Sequence, residues 1–176
     1  MKRYKKLSEE VLHKNPWWTY KHDKFKLPNG KEGDYYYFDN PGGSMVVPIL
    51  DDGRIVLVKQ YRYLFDRDCI ELCSGCIKDG QTPERAAQTE LEEETGYQGD
   101  LKFIGEFAPS RGFSKELVRV FLAKNLKKGE SHPEESEEIE VLYKTPEEID
   151  KMIETNEIWD GETMAAWAMV RKYFKN

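Results

Sequence analysis

Three glutamates lie close together in one segment of this chain, at Glu90, Glu93 and Glu94. In a helix each residue turns by about 100°, which places Glu93 about 60° to one side of Glu90 and Glu94 about 40° to the other. Like charges at this spacing repel each other unless a cation offsets them. Carboxylate oxygens in this number suit Mg²⁺ or Mn²⁺, although three glutamates without further context are more often a solvated acidic face.

The residues around these glutamates predict the helix that carries them. Thr82 is a natural N-cap, Pro83 suits the first helical position, and Gly96 ends the helix after about Thr95. A loop that contains Gly, Lys and Asp precedes the helix, and a short strand over residues 69–73 precedes the loop. This setting between a glycine-containing loop and strands favours a metal site over a plain acidic face.

Most of the other apolar segments predict β-strands, and two more segments predict helices. Turn residues separate runs that are rich in Val, Ile, Leu, Tyr and Phe. The expected strands cover residues 44–50, 54–63, 100–108, 117–123 and 138–144, and the expected helices cover residues 146–155 and 161–174. This order of elements predicts an α+β or mixed α/β domain.

The first part of the chain predicts a β-hairpin. Strand-forming runs over residues 17–27 and 34–39 flank a turn at Pro28, Asn29 and Gly30. Before the hairpin, Ser8 is placed to cap a short helix that Pro16 would end.

Composition and charge limit the class of protein. The chain has 176 residues, of which 39% are hydrophobic and 12% aromatic, so it fits one folded domain and not a disordered chain. The net charge of −6 disfavours a nonspecific nucleic-acid surface, and no apolar run approaches the length of a membrane span. We therefore expect no nucleic-acid or membrane partner. Because the three cysteines are an odd set, we also expect a reducing, cytoplasmic setting.

The segment from Gly75 to Tyr97 resembles the box of the Nudix hydrolases. In that box a glycine, a glutamate, an Arg-Glu pair, a Glu-Glu pair and a second glycine follow one another at fixed spacing. Two positions depart from it, because Gln81 stands at the first glutamate and Thr89 at the arginine. The positions that match are Gly75, Glu90, Leu91, Glu93, Glu94, Gly96 and Tyr97.

Segments outside the box resemble the ADP-ribose pyrophosphatase branch of that superfamily. The branch usually has Pro-Ala where this chain has Cys73-Ser74, and proline where it has Arg111. The similar segments are Asn15-Pro16-Trp17-Trp18 and residues 58–63, 70–75, 109–114 and 137–141.

The resemblance implies a Nudix-type α/β/α sandwich, with a mixed sheet flanked by helices. Residues 1–43 would be an N-terminal β-hairpin extension and residues 44–176 the Nudix domain. The implied activity is Mg²⁺-dependent hydrolysis of the pyrophosphate bond in ADP-ribose or a related nucleoside diphosphate sugar, with Mn²⁺ as an alternative metal. The products would be a nucleoside monophosphate and a sugar phosphate. The branch also implies a homodimer in which the hairpin crosses to the partner.

The same resemblance assigns roles to residues. Glu90, Glu93 and Glu94 correspond to metal ligands, together with the backbone carbonyl of Ser74. A glutamate on a late loop supplies the general base, which alignment of the following strand places at Glu135 or Glu137, with Glu135 preferred. Within the uncertainty of that register the other candidates are Glu134 and Glu138.

Four further side chains are candidates for substrate binding, each with a simpler alternative. Arg62 corresponds to an arginine near the substrate, and its planar fork suits a diphosphate, although a salt bridge at a strand end explains it equally well. Trp17 and Trp18 could stack on a nucleobase or pack within the hairpin. Arg111 could contact phosphate or be a solvated loop residue.

Two competing interpretations stay open. The departures at Gln81, Thr89 and Arg111 allow a catalytically weakened module that binds nucleotide sugars. Another Nudix substrate, such as a dinucleoside polyphosphate, is less compatible with the N-terminal extension. Cys73 and Cys76 lack a second ligand pair for zinc, so we interpret them as packing residues.

Overall fold

The computed structural model describes residues 3–132 and 138–174. Two short 3₁₀ helices, Tyr63–Phe65 and Arg171–Phe174, accompany the regular elements. In chain order these are β1 (Lys5–Lys14), β2 (Thr19–Lys26), β3 (Glu32–Asp39), β4 (Gly43–Pro48), β5 (Ile55–Arg62), β6 (Arg67–Glu71), β7 (Cys73–Cys76), α1 (Pro83–Thr95), β8 (Tyr97–Phe107), β9 (Val118–Lys128), β10 (Glu140–Lys144), α2 (Pro146–Glu154) and α3 (Gly161–Val170).

Two sheets lie between α1 on one side and α2 with α3 on the other. One sheet has the order β7-β4-β9-β8, in which β4 and β9 are parallel, and the other has the antiparallel order β10-β5-β6. Successive side chains of a strand point to opposite faces, and β4 shows this directly. Its Met45 packs in a core with Ile149 and Trp167, whereas Val46 packs in a second core with Leu91. The expected α/β/α sandwich with a mixed sheet is therefore confirmed.

The chain passes from one of these sheets to the other after β4, after β6 and after β9, and the sequence does not reveal the first two crossings. The segments over 44–50 and 54–63 form strands as predicted, but β4 and β5 belong to different sheets. The strand predicted over 69–73 is two strands, because pairing with β5 ends at Glu71 and pairing with β4 begins at Cys73. Leu72 between them is buried. This crossing places Glu71 and Ser74 at the walls of one cleft.

The N-terminal region is a separate three-stranded antiparallel sheet of order β1-β2-β3. β2 and β3 confirm the predicted hairpin, but the helix predicted after Ser8 is wrong, because that segment is the strand β1. The reason is the turn that follows it, in which the Asn15 side chain accepts hydrogen bonds from the amides of Trp17 (3.0 Å) and Trp18 (2.8 Å). This side-chain turn reverses the chain and pairs β1 with β2 along its length.

The helix α1 begins and ends as its sequence predicts. The Thr82 hydroxyl accepts a hydrogen bond from the Arg85 amide (3.2 Å), and Gly96 ends the helix in the left-handed region with φ of 69°. Ala87 and Leu91 are buried against the sheet, which fixes the rotation of the helix. No helix in the described ranges is both long enough and apolar enough to cross a membrane.

Candidate active site

The central contact of the site joins α1 to β7. Gly75 lies so close to Glu90 that a Cβ atom placed on the glycine would collide with the Glu90 carboxylate. Because the glycine has no side chain, the carboxylate can lie directly against the backbone of β7. The carbonyl of Ser74, the residue before Gly75, belongs to the same short strand.

The other two glutamates of α1 lie in different environments. Glu94 is buried, and its carboxylate interacts with the thiol of Cys73. Burial, together with this carboxylate, raises the pKa of Cys73 well above its usual value. Glu93 is half-buried, and its backbone carbonyl accepts a hydrogen bond from the His132 amide (3.0 Å). This hydrogen bond places His132 beside the part of α1 that carries Glu93.

The donor set fits a hard divalent cation. Carboxylates of Glu90, Glu93 and Glu94 and a backbone carbonyl are the oxygen ligands that Mg²⁺ and Mn²⁺ prefer. The room left by Gly75 allows the Glu90 carboxylate to lie beside the backbone that carries the Ser74 carbonyl. Within residues 3–132 and 138–174, no group of three or more acidic, His or Cys side chains is already gathered at metal-binding distance. Binding would therefore draw the carboxylates together.

A cleft of about 550 Å³ opens beside β7. Arg62 lines it, and this guanidinium donates from Nε to Oε1 of Glu71 (2.6 Å) and from Nη2 to Oε2. Glu71 is only 4% exposed, so the pair holds the guanidinium in one orientation at the wall of the cleft. The strand-end ion pair expected for Arg62 is therefore present, and because the same side chain also lines the cleft, its contact with a substrate stays a prediction.

Three acidic residues near the cleft were missed by the sequence analysis. Glu162 and Asp160 line it, and Glu116 lies close enough to affect Glu162. Burial raises the pKa of Glu162 to about 7, with further contributions from Asp160, Glu116 and Glu71 and an opposing one from Arg62. The sequence carries only a weak signal for them, because their proximity depends on how α3 packs.

The thiol of Cys76, in β7, is affected by charges from both α1 and the cleft. Burial raises the pKa of Cys76, and the charges of Glu116, Glu90 and Glu162 raise it further. Glu90 from α1 and Glu162 from α3 therefore lie within electrostatic reach of the same residue of β7. Cys73 is buried in the core beside Leu91, in agreement with a packing role, whereas Cys76 is exposed, so the packing interpretation is wrong for that residue.

Three of the candidate substrate-binding residues lie away from this cleft. Trp17 is 69% exposed, and Trp18 packs edge-on against Phe38, with ring centroids 4.7 Å apart. Both line a separate depression next to the N-terminal sheet. Arg111 is exposed in the loop between β8 and β9. Within one chain, the structure therefore does not bring these residues together with Glu90 and Arg62.

The candidates for the general base, Glu135 and Glu137, lie outside the described residues, as does Glu134. The described residues on either side are placed near the site. His132 donates to the Glu93 carbonyl, and Glu138 lines a depression that it shares with Gln60 and Tyr61, two residues that also line the cleft.

The two departures from the Nudix box face each other. Nε2 of Gln81 donates to the Thr89 hydroxyl at 3.5 Å, and that hydroxyl donates to the Arg85 carbonyl at 2.9 Å. Oε1 of Gln81 accepts from the Lys78 amide at 3.1 Å. A neutral pair therefore stands where the Nudix box has a glutamate and an arginine, and neither position leaves an uncompensated charge.

Comparison with protein families identifies the domain. A model of the NUDIX domain matches residues 39–167, which is most of the chain. The chain belongs to the Nudix family. A second model, of the nucleoside diphosphate sugar hydrolase N-terminal domain, matches residues 4–38. The predicted enzyme class, a Nudix-type pyrophosphatase, is confirmed at the level of the family.

Individual relatives extend this family assignment. The chain is 40% identical over 144 residues to the ADP-ribose pyrophosphatase of Bacillus subtilis (strain 168), covering 80% of this chain and 78% of that protein. It is 33% identical over 147 residues to the methanol dehydrogenase activator of Bacillus methanolicus, covering 82% and 80%. A crystal structure of an ADP compounds hydrolase has the same fold, with a TM-score of 0.85 at 20% identity over 98% of this chain and 95% of that one.

A substitution at Gly75 tests the contact between α1 and β7. We expect Gly75→Ala to push the Glu90 carboxylate away from β7 and to lower metal-dependent turnover by about 100-fold, because misplacement of a catalytic group by about 1 Å has an effect of this size. Gly129→Ala is the matched control, since a Cβ there would make only an ordinary contact, 3.5 Å from the Gly96 carbonyl oxygen. Steady-state kinetics of both variants measure the effect, and equal activities would contradict the role given to Gly75.

A double-mutant cycle tests the neutral pair of the box. Gln81→Glu combined with Thr89→Arg should restore an ion pair, whereas each single change adds an unpartnered charge to a part-buried site. We expect the free energy of unfolding of the double variant to exceed the value expected from the sum of the two single effects by about 0.5–3 kcal/mol. Urea unfolding measures the coupling energy. Additive effects would show that the two positions do not interact.

Proposed function

We propose that this chain hydrolyses the pyrophosphate bond of ADP-ribose or a related nucleoside diphosphate sugar in a Mg²⁺-dependent reaction. The products would be a nucleoside monophosphate and a sugar phosphate. The observation that carries the proposal is the contact of the Glu90 carboxylate with β7 at Gly75, next to a cleft that Arg62 lines. The similarity to an ADP-ribose pyrophosphatase over 80% of the chain supports the choice of substrate class.

The residues that would hold the metal are Glu90, Glu93 and Glu94, with the Ser74 carbonyl. A bound Mg²⁺ neutralises diphosphate charge and lowers the pKa of a coordinated water. Mn²⁺ shares these ligand preferences and is proposed as an alternative.

Arg62 would bind the diphosphate. Two of its hydrogen bonds go to Glu71, which leaves the remaining N–H donors of the guanidinium for phosphate oxygens. Because Glu71 fixes the guanidinium before substrate arrives, little side-chain entropy is lost on binding. Arg111, on an exposed loop, stays a second candidate for phosphate contact.

A general base must take a proton from the attacking water. We propose Glu135 for this task, with Glu137 as the next candidate. The positions of His132 beside Glu93 and of Glu138 beside the residues of the cleft support this proposal.

An activity assay tests the function and the metal ligands together. We expect ADP-ribose with Mg²⁺ to yield AMP and ribose 5-phosphate, and Glu93→Gln to lower kcat by about 100-fold or more by removing a ligand charge. Glu92→Gln on the same helix is the matched control, because the Glu92 carboxylate accepts a hydrogen bond from Gln98 (2.6 Å) and belongs to no proposed role.

Product analysis across a panel of nucleotide sugars separates the alternatives. A binding module with lost catalysis would show heat of association without product. If the wild-type protein cleaves no member of the panel, the proposed function fails. If Glu93→Gln retains full turnover, the metal assignment fails.

We also propose a homodimer in which residues 1–43 contribute to the interface and residues 44–176 form the catalytic domain. The strand β1 is exposed along its whole length and is an edge of its sheet. Four large side chains near or on it are at least 43% exposed, namely Tyr4, Leu7, Val11 and Leu12. Burial of such a surface stabilises association. It would also allow Trp17 and Trp18 to contact the nucleobase of a substrate that is bound to the partner subunit.

Sedimentation tests the dimer. We expect the wild-type chain to sediment at about twice its mass of 20.7 kDa, and Val11→Lys to shift it toward the monomer, because a buried unpaired charge is costly. Glu157→Lys, a change at an exposed position after α2, should leave the mass unchanged. A wild-type monomer would contradict the proposal.

The free thiols of Cys69, Cys73 and Cys76 are compatible with the cytoplasmic location that we propose.

A further inference from the structure

The wall of the cleft beside β7 includes a part to which the proposed function gives no task. Trp159, Asp160 and Glu162, at the junction that leads into α3, form this part, the α3 end of the cleft. Arg62 and Ser74, which the proposed function assigns to the diphosphate and the metal, line the same cleft. Arg62 is near enough to the α3 end to act on the charge of Glu162.

The α3 end suits the sugar of the proposed substrate better than its phosphate groups. Glu162 and Asp160 are acidic, and Arg62 is the one cation among the described residues that line the cleft. That cation is already paired with Glu71. The carboxyl groups of Asp160, Glu116 and Glu71 around Glu162 would repel an anion, and burial makes this repulsion stronger than it is in water. Of the parts of the proposed substrate, the uncharged sugar therefore fits here best.

The same end matches a group that carries several hydroxyls. Carboxylate oxygens accept hydrogen bonds from hydroxyl donors, and each oxygen can take two. Such bonds would also relieve the poor solvation that keeps the pKa of Glu162 near 7. Trp159 and Phe65 add an apolar wall, with ring centroids 5.0 Å apart, against which the carbon face of a sugar can pack.

Hydrogen bonds hold this end of the cleft in a fixed shape. The Asp160 side chain caps α3 by accepting from the Thr163 amide (2.7 Å). The Thr163 hydroxyl in turn accepts from the Leu72 amide (3.0 Å) at the crossing between the two sheets. The start of α3 is thereby tied to the strands that carry Glu71 and Ser74. A site built in this way can select its ligand because little of it must be ordered on binding.

The indole of Trp159 is fixed by two contacts of its own. Its Nε1 donates to the Asp68 carbonyl (3.1 Å), and the Arg67 guanidinium lies 3.7 Å from the centre of the ring. A cation over the ring stabilises this arrangement by about 0.5–1 kcal/mol at an exposed site. The wall next to Glu162 is therefore rigid before any ligand binds.

We propose that Glu162 binds the hydroxyl groups of the sugar half of the substrate and thereby helps to determine which nucleotide sugars are accepted. This inference rests on the proposed function, since it names the part of the same cleft that holds one half of that substrate. In this arrangement the diphosphate lies toward Arg62 and Ser74, and the sugar lies between Glu162 and the ring of Trp159.

Calorimetry with the two reaction products tests the inference without requiring turnover. Ribose 5-phosphate and AMP are titrated separately, with Mg²⁺ present, into the wild-type protein, Glu162→Ala and Glu162→Gln. We expect Glu162→Ala to weaken ribose 5-phosphate binding by about tenfold, the usual effect of losing a hydrogen bond to a charged group, and to leave AMP binding unchanged. Glu162→Gln should bind with intermediate affinity, because its amide keeps one acceptor oxygen.

Two controls separate ligand binding from folding. Glu154→Gln changes an exposed glutamate of α2 that pairs with Lys151, and it should bind both products as the wild-type protein does. Thermal unfolding of Glu162→Ala should match that of the wild-type protein, because Asp160 and not Glu162 caps α3. For ADP-ribose turnover, we expect Glu162→Ala to raise KM with little change in kcat, the pattern for loss of uniform binding.

Several results would overturn the inference. These are unchanged ribose 5-phosphate affinity in Glu162→Ala, a loss confined to AMP, and absence of ribose 5-phosphate binding to the wild-type protein. Failure of the proposed function looks different. In that case the wild-type protein would bind ribose 5-phosphate in a Glu162-dependent manner but would cleave no nucleotide sugar.

Discussion

The approach of the Glu90 carboxylate to the backbone of β7 is the contact on which the site depends. It exists because Gly75 has no side chain, so that a helix and a strand can meet without an intervening Cβ atom. The helix is held at this place by its apolar face, where Ala87 and Leu91 are buried in the second core. Packing of the apolar face of α1 therefore sets the positions of its glutamate carboxylates. Because these carboxylates repel each other, a divalent cation between them would be stabilising.

The cleft follows from the way in which the chain passes between two sheets. At Leu72 the chain leaves the sheet of β5 and enters the sheet of β4, so that Glu71 and Ser74 face the same space from different sheets. The Arg62–Glu71 pair then orients a guanidinium at the wall, and the start of α3, tied to Leu72 through Thr163, adds carboxyl groups to the same wall. One crossing thus places Arg62, Ser74 and Glu162 around a single cavity, as the proposed binding of a nucleotide sugar needs.

The sequence predicts features that depend on neighbouring residues and misses those that depend on distant packing. Thr82, Pro83 and Gly96 define α1 locally, so its bounds and the sector that its glutamates share could be predicted. Ser8 appeared to cap a helix because the turn that pairs β1 with β2 is made seven residues later by the Asn15 side chain. Glu162 could not be identified, because its place in the cleft depends on a hydrogen bond between residues 72 and 163. The two tryptophans at 17 and 18 lie between β1 and β2 and not in the strand predicted over residues 17–27, and their contact with a substrate stays a proposal that depends on the proposed dimer.

Anomalous diffraction from crystals soaked with Mn²⁺ and a non-hydrolysable ADP-ribose analogue would locate the metal relative to α1 and β7. We expect an anomalous peak between β7 and α1, with the Ser74 carbonyl and carboxylate oxygens of Glu90, Glu93 and Glu94 at about 2.0–2.3 Å from the metal. A well-occupied analogue in the cleft with Mn²⁺ bound elsewhere, or with the α1 carboxylates turned away from it, would contradict the claim that Gly75 brings these glutamates together to hold the catalytic metal.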